Sequence, residues 1–248
     1  MLIADMVKDA DIVRNYDENG VFSIELLPGI CDIPTQAFKY YLTAGASVSP
    51  KAYTDKAVVC VFGKGKGFIA GDDGGFVIDE ISFYAPNYDK SNYTIHATTD
   101  LEFIYFTCDM DEYDFEREQE CSVYLPFFRK VSQCYRYEQY CKAVGTISRS
   151  VMFGDCGRLG KITIGYNRGF DTGTVEKGHG EVHQFNYAIG DDCDFTMTVE
   201  GMSKRLFRHN EGDFSFVYAG QDHSLVASPG KHVGYIWIEI YTSKHGVY

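Results

Sequence analysis

The sequence predicts an all-β protein made of two similar β-barrels or sandwiches joined by a partly helical connector. Three observations predict it. Short runs rich in aromatic and β-branched residues recur, cut at regular spacing by Gly, Asn and Asp, as strands and turns require. Text with helical periodicity is scarce. The two β-rich halves can also be laid over each other, as a duplicated module would be.

In chain order, residues 1–35 are mixed, and Val21 to Leu26 (VFSIEL) reads as a strand ended by Pro28-Gly29. From Ala37 to Cys108 follow AFKYYLTAGASVS, AVVCVFGKGKGFIAG, GGFVIDEISFYAPN, YTIHATT and LEFIYFT, each a strand or hairpin. The GKGKG run at 63–67 lacks the phosphate-loop spacing and precedes no helix, so it reads as a hairpin turn. Residues 109–147 form the connector. Its first part, DMDEYDFEREQE, is acidic, and helical turns are expected in the aromatic stretch after it, interrupted at Pro126. Strands resume at Ser148 and run to the end. The expected division is therefore 1–108, 109–147 and 148–248.

Composition narrows the function. An apolar content of 45%, with 15% aromatic residues, allows a sizeable core in 248 residues. A formal net charge of -12 argues against nucleic acid or an anionic membrane surface as partner. No basic segment followed by a long apolar run opens the chain, and no stretch of about 18 apolar residues occurs. The eight cysteines form no CxxC pair, so they are expected to be reduced and buried, in a cytoplasmic protein.

The chemistry-bearing stretch is GHGEVHQFNY, Gly178 to Tyr187. In a strand, His179, Glu181 and His183 share one face. About forty residues later His223 returns after Glu211-Gly212-Asp213, a short strand and Ala219-Gly220. Three imidazoles and a carboxylate from separate strands make a metal site, with one divalent ion (Mn, Fe, Ni, Zn or Co) and an open position for substrate. The candidate ligands are His179, His183 and His223, and Glu181 is a further candidate. Arg168 and Lys177 are candidate binders of a substrate carboxylate. Trp237 shares a strand face with Tyr235, Glu239 and Tyr241. His96, His209, His232 and His245 are expected to be structural or exposed. Overlaying Gly63 on Gly190 puts Ala52 at His179 and Lys56 at His183. Overlaying Ala97 on Ala227 puts Tyr93 at His223. Only the second copy keeps the imidazoles.

These residues resemble the cupin superfamily. Gly212-Asp213, Ala219-Gly220 and His223-Ser224 match its second motif. The first motif departs from the family pattern: Lys177 or Glu181 stands two residues from His179, and His183 and Gln184 compete for the family's glutamate position. The resemblance implies a bicupin of two jelly-roll barrels, with the metal in the C-terminal one. It implies an enzyme acting on a small polar, carboxylate-bearing metabolite as an isomerase, aminohydrolase, decarboxylase or dioxygenase. Bicupins of the ureidoglycine aminohydrolase type share a His-x-x-x-His spacing like that of His179 and His183. Glu181 or Tyr187 would move a proton, Gln184 and Trp237 would contact substrate, and the chain would be a homodimer. The alternative is a non-catalytic metabolite-binding cupin without metal.

Overall fold

The structure is a computed structural model that describes residues 4–121, 124–154, 157–170, 173–176, 180, 182–200 and 204–242. The burial pattern of its strands falls into two kinds. Leu101–Asp109 and His232–Tyr241 are buried along almost their whole length, as strands covered on both faces are. Asp194–Val199, Tyr93–Ala97 and His223–Ala227 alternate buried with less buried residues, as strands with one wetted face do. Strands of the first kind lie in the middle of two larger sheets and those of the second in two four-stranded sheets, and the described strands pair antiparallel.

The chain divides into two units: residues 13–29 with 33–134, and residues up to 12 with 30–32 and 135 onward. Each joins one larger sheet to one small sheet, and the strand order repeats. The larger sheet of the N-terminal unit runs Phe127–Lys130, Ser82–Ala85, Lys56–Lys64, Leu101–Asp109, Thr35–Leu42, Val21–Leu26. That of the C-terminal unit runs Ala4–Val7, Phe214–Val217, Val182–Ala188, His232–Tyr241, Ile162–Phe170, Ile147–Met152, Tyr135–Tyr137. The small sheets repeat as well: Ser47–Val48, Tyr93–Ala97, Gly67–Gly71, Gly74–Ile78 against Gly173–Glu176, His223–Ala227, Asp194–Val199, Arg205–Asn210. Among the described residues no sheet closes on itself, so the expected closed barrels are observed as pairs of open sheets. Each pair holds a core between its members. In the C-terminal unit Ala188, Val217, Tyr235 and Trp237 meet Phe195, Met197, Leu225 and Ala227.

The N-terminus differs from its expected place. Ala4–Val7 pairs with Phe214–Val217, and residues 30–32 also belong to the C-terminal unit. The connector differs too. Its helix, Glu112–Cys121, lies in the acidic stretch and not in the aromatic one. Glu, Gln and Arg are good helix formers, and no Gly or Pro interrupts them. Asp111 and Asp114 also cap its first turn reciprocally: each main-chain N–H donates to the other's carboxylate, at 3.0 and 3.1 Å. The aromatic stretch keeps one short 3-10 turn, Val131–Gln133, and is otherwise largely extended, with Phe127–Lys130 and Tyr135–Tyr137 adding an edge strand to each larger sheet. Among the described residues no helix is long and apolar enough to cross a membrane.

Candidate functional site

The strand Val182–Ala188 has every residue buried, so which face points inward must be read from its partners. Ala188 belongs to the core between the sheets. Asn186 Nδ2 approaches Met197 Sδ of the small sheet at 3.8 Å. The even-numbered residues, Gln184 among them, therefore face inward. His183, Phe185 and Tyr187 face the other way. There the His183 ring lies 5.7 Å from Phe216 and 4.4 Å from Tyr218, and Phe185 lies 4.7 Å from Phe216.

On His223–Ala227, Leu225 and Ala227 belong to the core, and His223 shares their buried face. His183 and His223 thus lie on opposite sides of the larger sheet, and the expected three-imidazole centre is not assembled around both. The proton-transfer assignment of Tyr187 falls with it, because Tyr187 shares the face of His183. Arg168 is exposed on the outer face, its Nη2 3.4 Å from His232 Nε2, so it is not brought to His223. Trp237 does line the interior, against Phe153 and Gly165. Lys177, His179 and Glu181 lie outside the described residues.

The internal repeat gives the same answer for Gln184. Cys60 and Ala188 both belong to a core, and each pairs with a tyrosine of the central strand, Tyr105 and Tyr235. Matching them slides the overlay by one, so Lys56 corresponds to Gln184 and not to His183. The second overlay fits the pairing: Tyr93 and His223 each open a five-residue strand, paired with Gly71 and Val199.

Pairing also places Gln184 and His223 at one end of the unit. Tyr235, paired with Ala188, packs on Phe195, and Asn186 reaches Met197. One step further along both strands stand Gln184, paired with Glu239, and Val199, paired with His223. Glu239 is buried and accepts a hydrogen bond from Thr163 Oγ1 at 3.4 Å.

The two histidines have opposite proton arrangements. His223 Nδ1 lies 3.2 Å from the Gln221 carbonyl, which can only accept, so a neutral ring carries its proton there and its lone pair on Nε2. A backbone carbonyl on the far nitrogen is the usual support of a metal-binding imidazole. In contrast, His183 Nδ1 accepts the Ala219 N–H at 3.2 Å, which puts the proton of a neutral ring on Nε2, 2.8 Å from Asp32 Oδ1. Cys31, Asp32 and His183 offer donor atoms within 4.8 Å of one another, yet this tautomer presents an N–H to the cluster. Burial lowers the His183 pKa, and nearby Asp32 offsets this only in part.

Gln184 ends a buried polar chain. Its Nε2 donates to Asn186 Oδ1 at 2.7 Å, Asn186 Nδ2 donates to Ser215 Oγ at 3.4 Å, and Ser215 Oγ lies 2.9 Å from His209 Nε2. His209, structural as expected, stacks on Phe195 and donates from Nδ1 to the Phe207 carbonyl. Gln184 Oε1 is buried and has no partner among the described residues. An unpaired buried acceptor costs about 1–3 kcal/mol, and a cation beside His223 would satisfy it. An imidazole and an amide oxygen suit a divalent ion. The sequence named Gln184 as a rival to His183 and as a substrate contact, and missed the Gln184–His209 chain and the Cys31–Asp32 segment.

The equivalent interior of the N-terminal unit is filled by Cys60, Phe62, Tyr84, Tyr93, Phe103 and Tyr105. A cavity of about 390 Å³ opens elsewhere in that unit, beside Tyr88, whose hydroxyl bonds Glu118. Burial pushes the Cys60 and Cys193 thiols up to about 12, so neither is a thiolate near neutrality. None of the seven described cysteines is in a disulfide.

No family model and no curated protein matches the sequence. Solved structures similar to this chain include oxalate decarboxylases. One, studied for its substrate binding mode and reaction specificity switch, is 14% identical with a TM-score of 0.68, over 98% of this chain and 78% of its own. The Lactobacillus farciminis enzyme in a formate complex is 11% identical, with a TM-score of 0.68 over 97% and 86%. The Bacillus subtilis enzyme, studied for its Mn(II) centres, is 12% identical, with a TM-score of 0.67 over 98% and 78%. At these identities the likeness is one of fold.

Proposed function

We propose that the chain is a bicupin, two jelly-roll modules in one polypeptide, and that the C-terminal module holds one divalent metal to act on a small carboxylate-bearing metabolite. The observation that carries this reading is the pairing of an orphaned buried Gln184 Oε1 with a His223 tautomer whose lone pair lies on Nε2, at one end of the module. His223 Nε2, Gln184 Oε1 and His179 would hold the ion, which when bound supplies a positive charge that polarises a carboxylate or carbonyl oxygen. Glu181 is then the candidate proton carrier, and Trp237 and Thr163 wall the site. The carboxylate class is supported by the fold shared with oxalate decarboxylases. The likeness to ureidoglycine aminohydrolases rested on the spacing of His179 and His183; with His183 facing outward, that spacing lends no support. A homodimer in the cytoplasm, with its cysteines reduced, completes the proposal.

The competing reading is a metal-free binding module, favoured by the close packing of Phe195, Met197, Leu225 and Trp237 between the sheets. Metal analysis of untagged protein, dialysed against Mn, Fe, Ni, Zn or Co, separates the two. We expect one ion per chain, lost or weakened at least tenfold in His223→Ala and Gln184→Ala and retained in His183→Ala. Metal-free protein, or equal loss in His183→Ala, would overturn the assignment.

A further inference from the structure

The C-terminal unit holds a half-buried lysine that the chemistry above does not use. Lys142 stands in the segment between Tyr135–Tyr137 and Ile147–Met152. Its Nζ lies 3.2 Å from the Tyr235 hydroxyl and 5.9 Å from the centre of that ring. The Asn167 amide, oriented to satisfy both its ends, accepts from Lys142 Nζ at 3.2 Å and from the Tyr235 O–H at 2.8 Å, and donates to Ser148 Oγ at 2.7 Å. Tyr235 and Asn167 are fully buried. These two oxygens take N–H groups of the amine, so the lone pair of a neutral amine points elsewhere.

A cavity of about 240 Å³ borders Lys142, walled also by Arg136, Glu138, Thr146 and Ser148. Thr146 is 8% exposed, and its Oγ1 is buried without a partner among the described residues. The same cavity thus has an amine, a cationic group and an unused hydroxyl. Desolvation pulls the Lys142 pKa down to about 8, and Cys141 and Glu239 offset this only in part. An appreciable fraction of the amine is then neutral near pH 7.5.

We propose that Lys142 is the nucleophile of a second site in the C-terminal unit, one that captures a small 2-oxo acid as an imine. Nζ adds to the keto carbon, and the carbonyl oxygen takes the Tyr235 proton to give a carbinolamine. The nitrogen gives one proton to the Tyr235 phenolate, which passes it to the hydroxyl; that group leaves as water as the C=N bond forms, and the remaining N–H proton then restores Tyr235. One water is released and no oxidant or reductant is needed. Arg136 pairs with the carboxylate, and the Thr146 hydroxyl donates to it.

The test uses the full chain in EDTA with pyruvate and cyanoborohydride, read by intact mass and peptide mapping. The expected result is one reduced pyruvate adduct per chain, on Lys142, formed at least tenfold faster than on any other lysine. Lys142→Met and Lys142→Arg, the second keeping the charge, both abolish it. Tyr235→Phe slows it at least tenfold. Adducts spread evenly over the lysines, or unchanged in either Lys142 variant, would overturn the proposal. With EDTA present, failure of the His223 metal assignment leaves this readout untouched.

Discussion

His183 Nε2 lies 2.8 Å from Asp32 Oδ1, across a chain separation that joins the 30–32 segment to a strand of the C-terminal sheet. The approach is off the axis of the ring N–H, so the contact is electrostatic more than a directed hydrogen bond. The Tyr218 hydroxyl donates to the other carboxylate oxygen at 2.5 Å. Asp32 therefore receives two side chains while remaining exposed itself, and its pKa is lowered, first by Tyr218. We read this as a tether for the 30–32 segment. A double-mutant cycle between Asp32→Asn and His183→Gln, followed by urea unfolding, should give a coupling of about 0.5–1.5 kcal/mol with metal content unchanged. Additive effects would mean that the two residues do not act together.

His209 contributes to the loss of stability in acid. Its burial between Phe195 and Ser215 lowers its pKa to about 4, from an ordinary value of 6.5. Below pH 6.5 the unfolded chain takes up a proton that the folded chain refuses. Stability is thus fully present above pH 6.5 and declines as pH falls toward 4, by about 3 kcal/mol for this group. The lowered pKa of His183 adds to the decline with the same sign. Urea midpoints at pH 7, 5.5 and 4.5 should fall for the native chain and fall less for His209→Gln. Parallel slopes would remove His209 from the account.

The sequence showed the fold more clearly than the site. Turn glycines and strand composition mark most strands, and VFSIEL is a strand with the expected ends. The edge strand Ala4–Val7 was not visible, because four residues, one of them acidic, carry little pattern and their pairing with Phe214–Val217 spans the chain. For the site, alternation gives period two but not phase. Val182–Ala188 buries both faces, so His183 and Gln184 look equally internal in the sequence. Phase came from Ala188 and from the contact between Asn186 and Met197. The role of Lys142 was illegible because Tyr235 and Asn167 are distant in sequence.

Gln184→Glu tests the metal assignment in the opposite direction to a deletion. Without metal, a carboxylate at this buried position is destabilising, by about 1–3 kcal/mol. With a divalent ion the added charge should tighten binding. Thermal unfolding with and without Mn or Co should show the variant below the native chain in chelator and gaining more on metal addition. An equal response of the two proteins would argue that position 184 does not touch the ion.

Gly165 is fixed by the chain's one tryptophan. A Cβ at this position would lie 2.0 Å from Trp237 Cζ2 and 2.3 Å from Cε2, atoms of a rigid ring directly across the strand pair. Trp237 is 3% exposed and packs edge-on against Phe153 at 5.8 Å, so the ring has no free direction in which to move. Gly165→Ala should therefore cost about 1–3 kcal/mol through overpacking. Gly180→Ala, with no described residue within 4 Å of its Cβ, should be near neutral. Because Trp237 is the only indole, its fluorescence reports the displacement directly, and Gly165→Ala should shift the emission while Gly180→Ala does not. Trp237→Phe leaves room for the new methyl, so the double variant Gly165→Ala/Trp237→Phe should be more stable than the sum of the two single losses predicts. Strict additivity, with unchanged emission in Gly165→Ala, would mean that Trp237 does not occupy the inner face opposite Gly165, and that the wall assigned to the candidate site is misplaced.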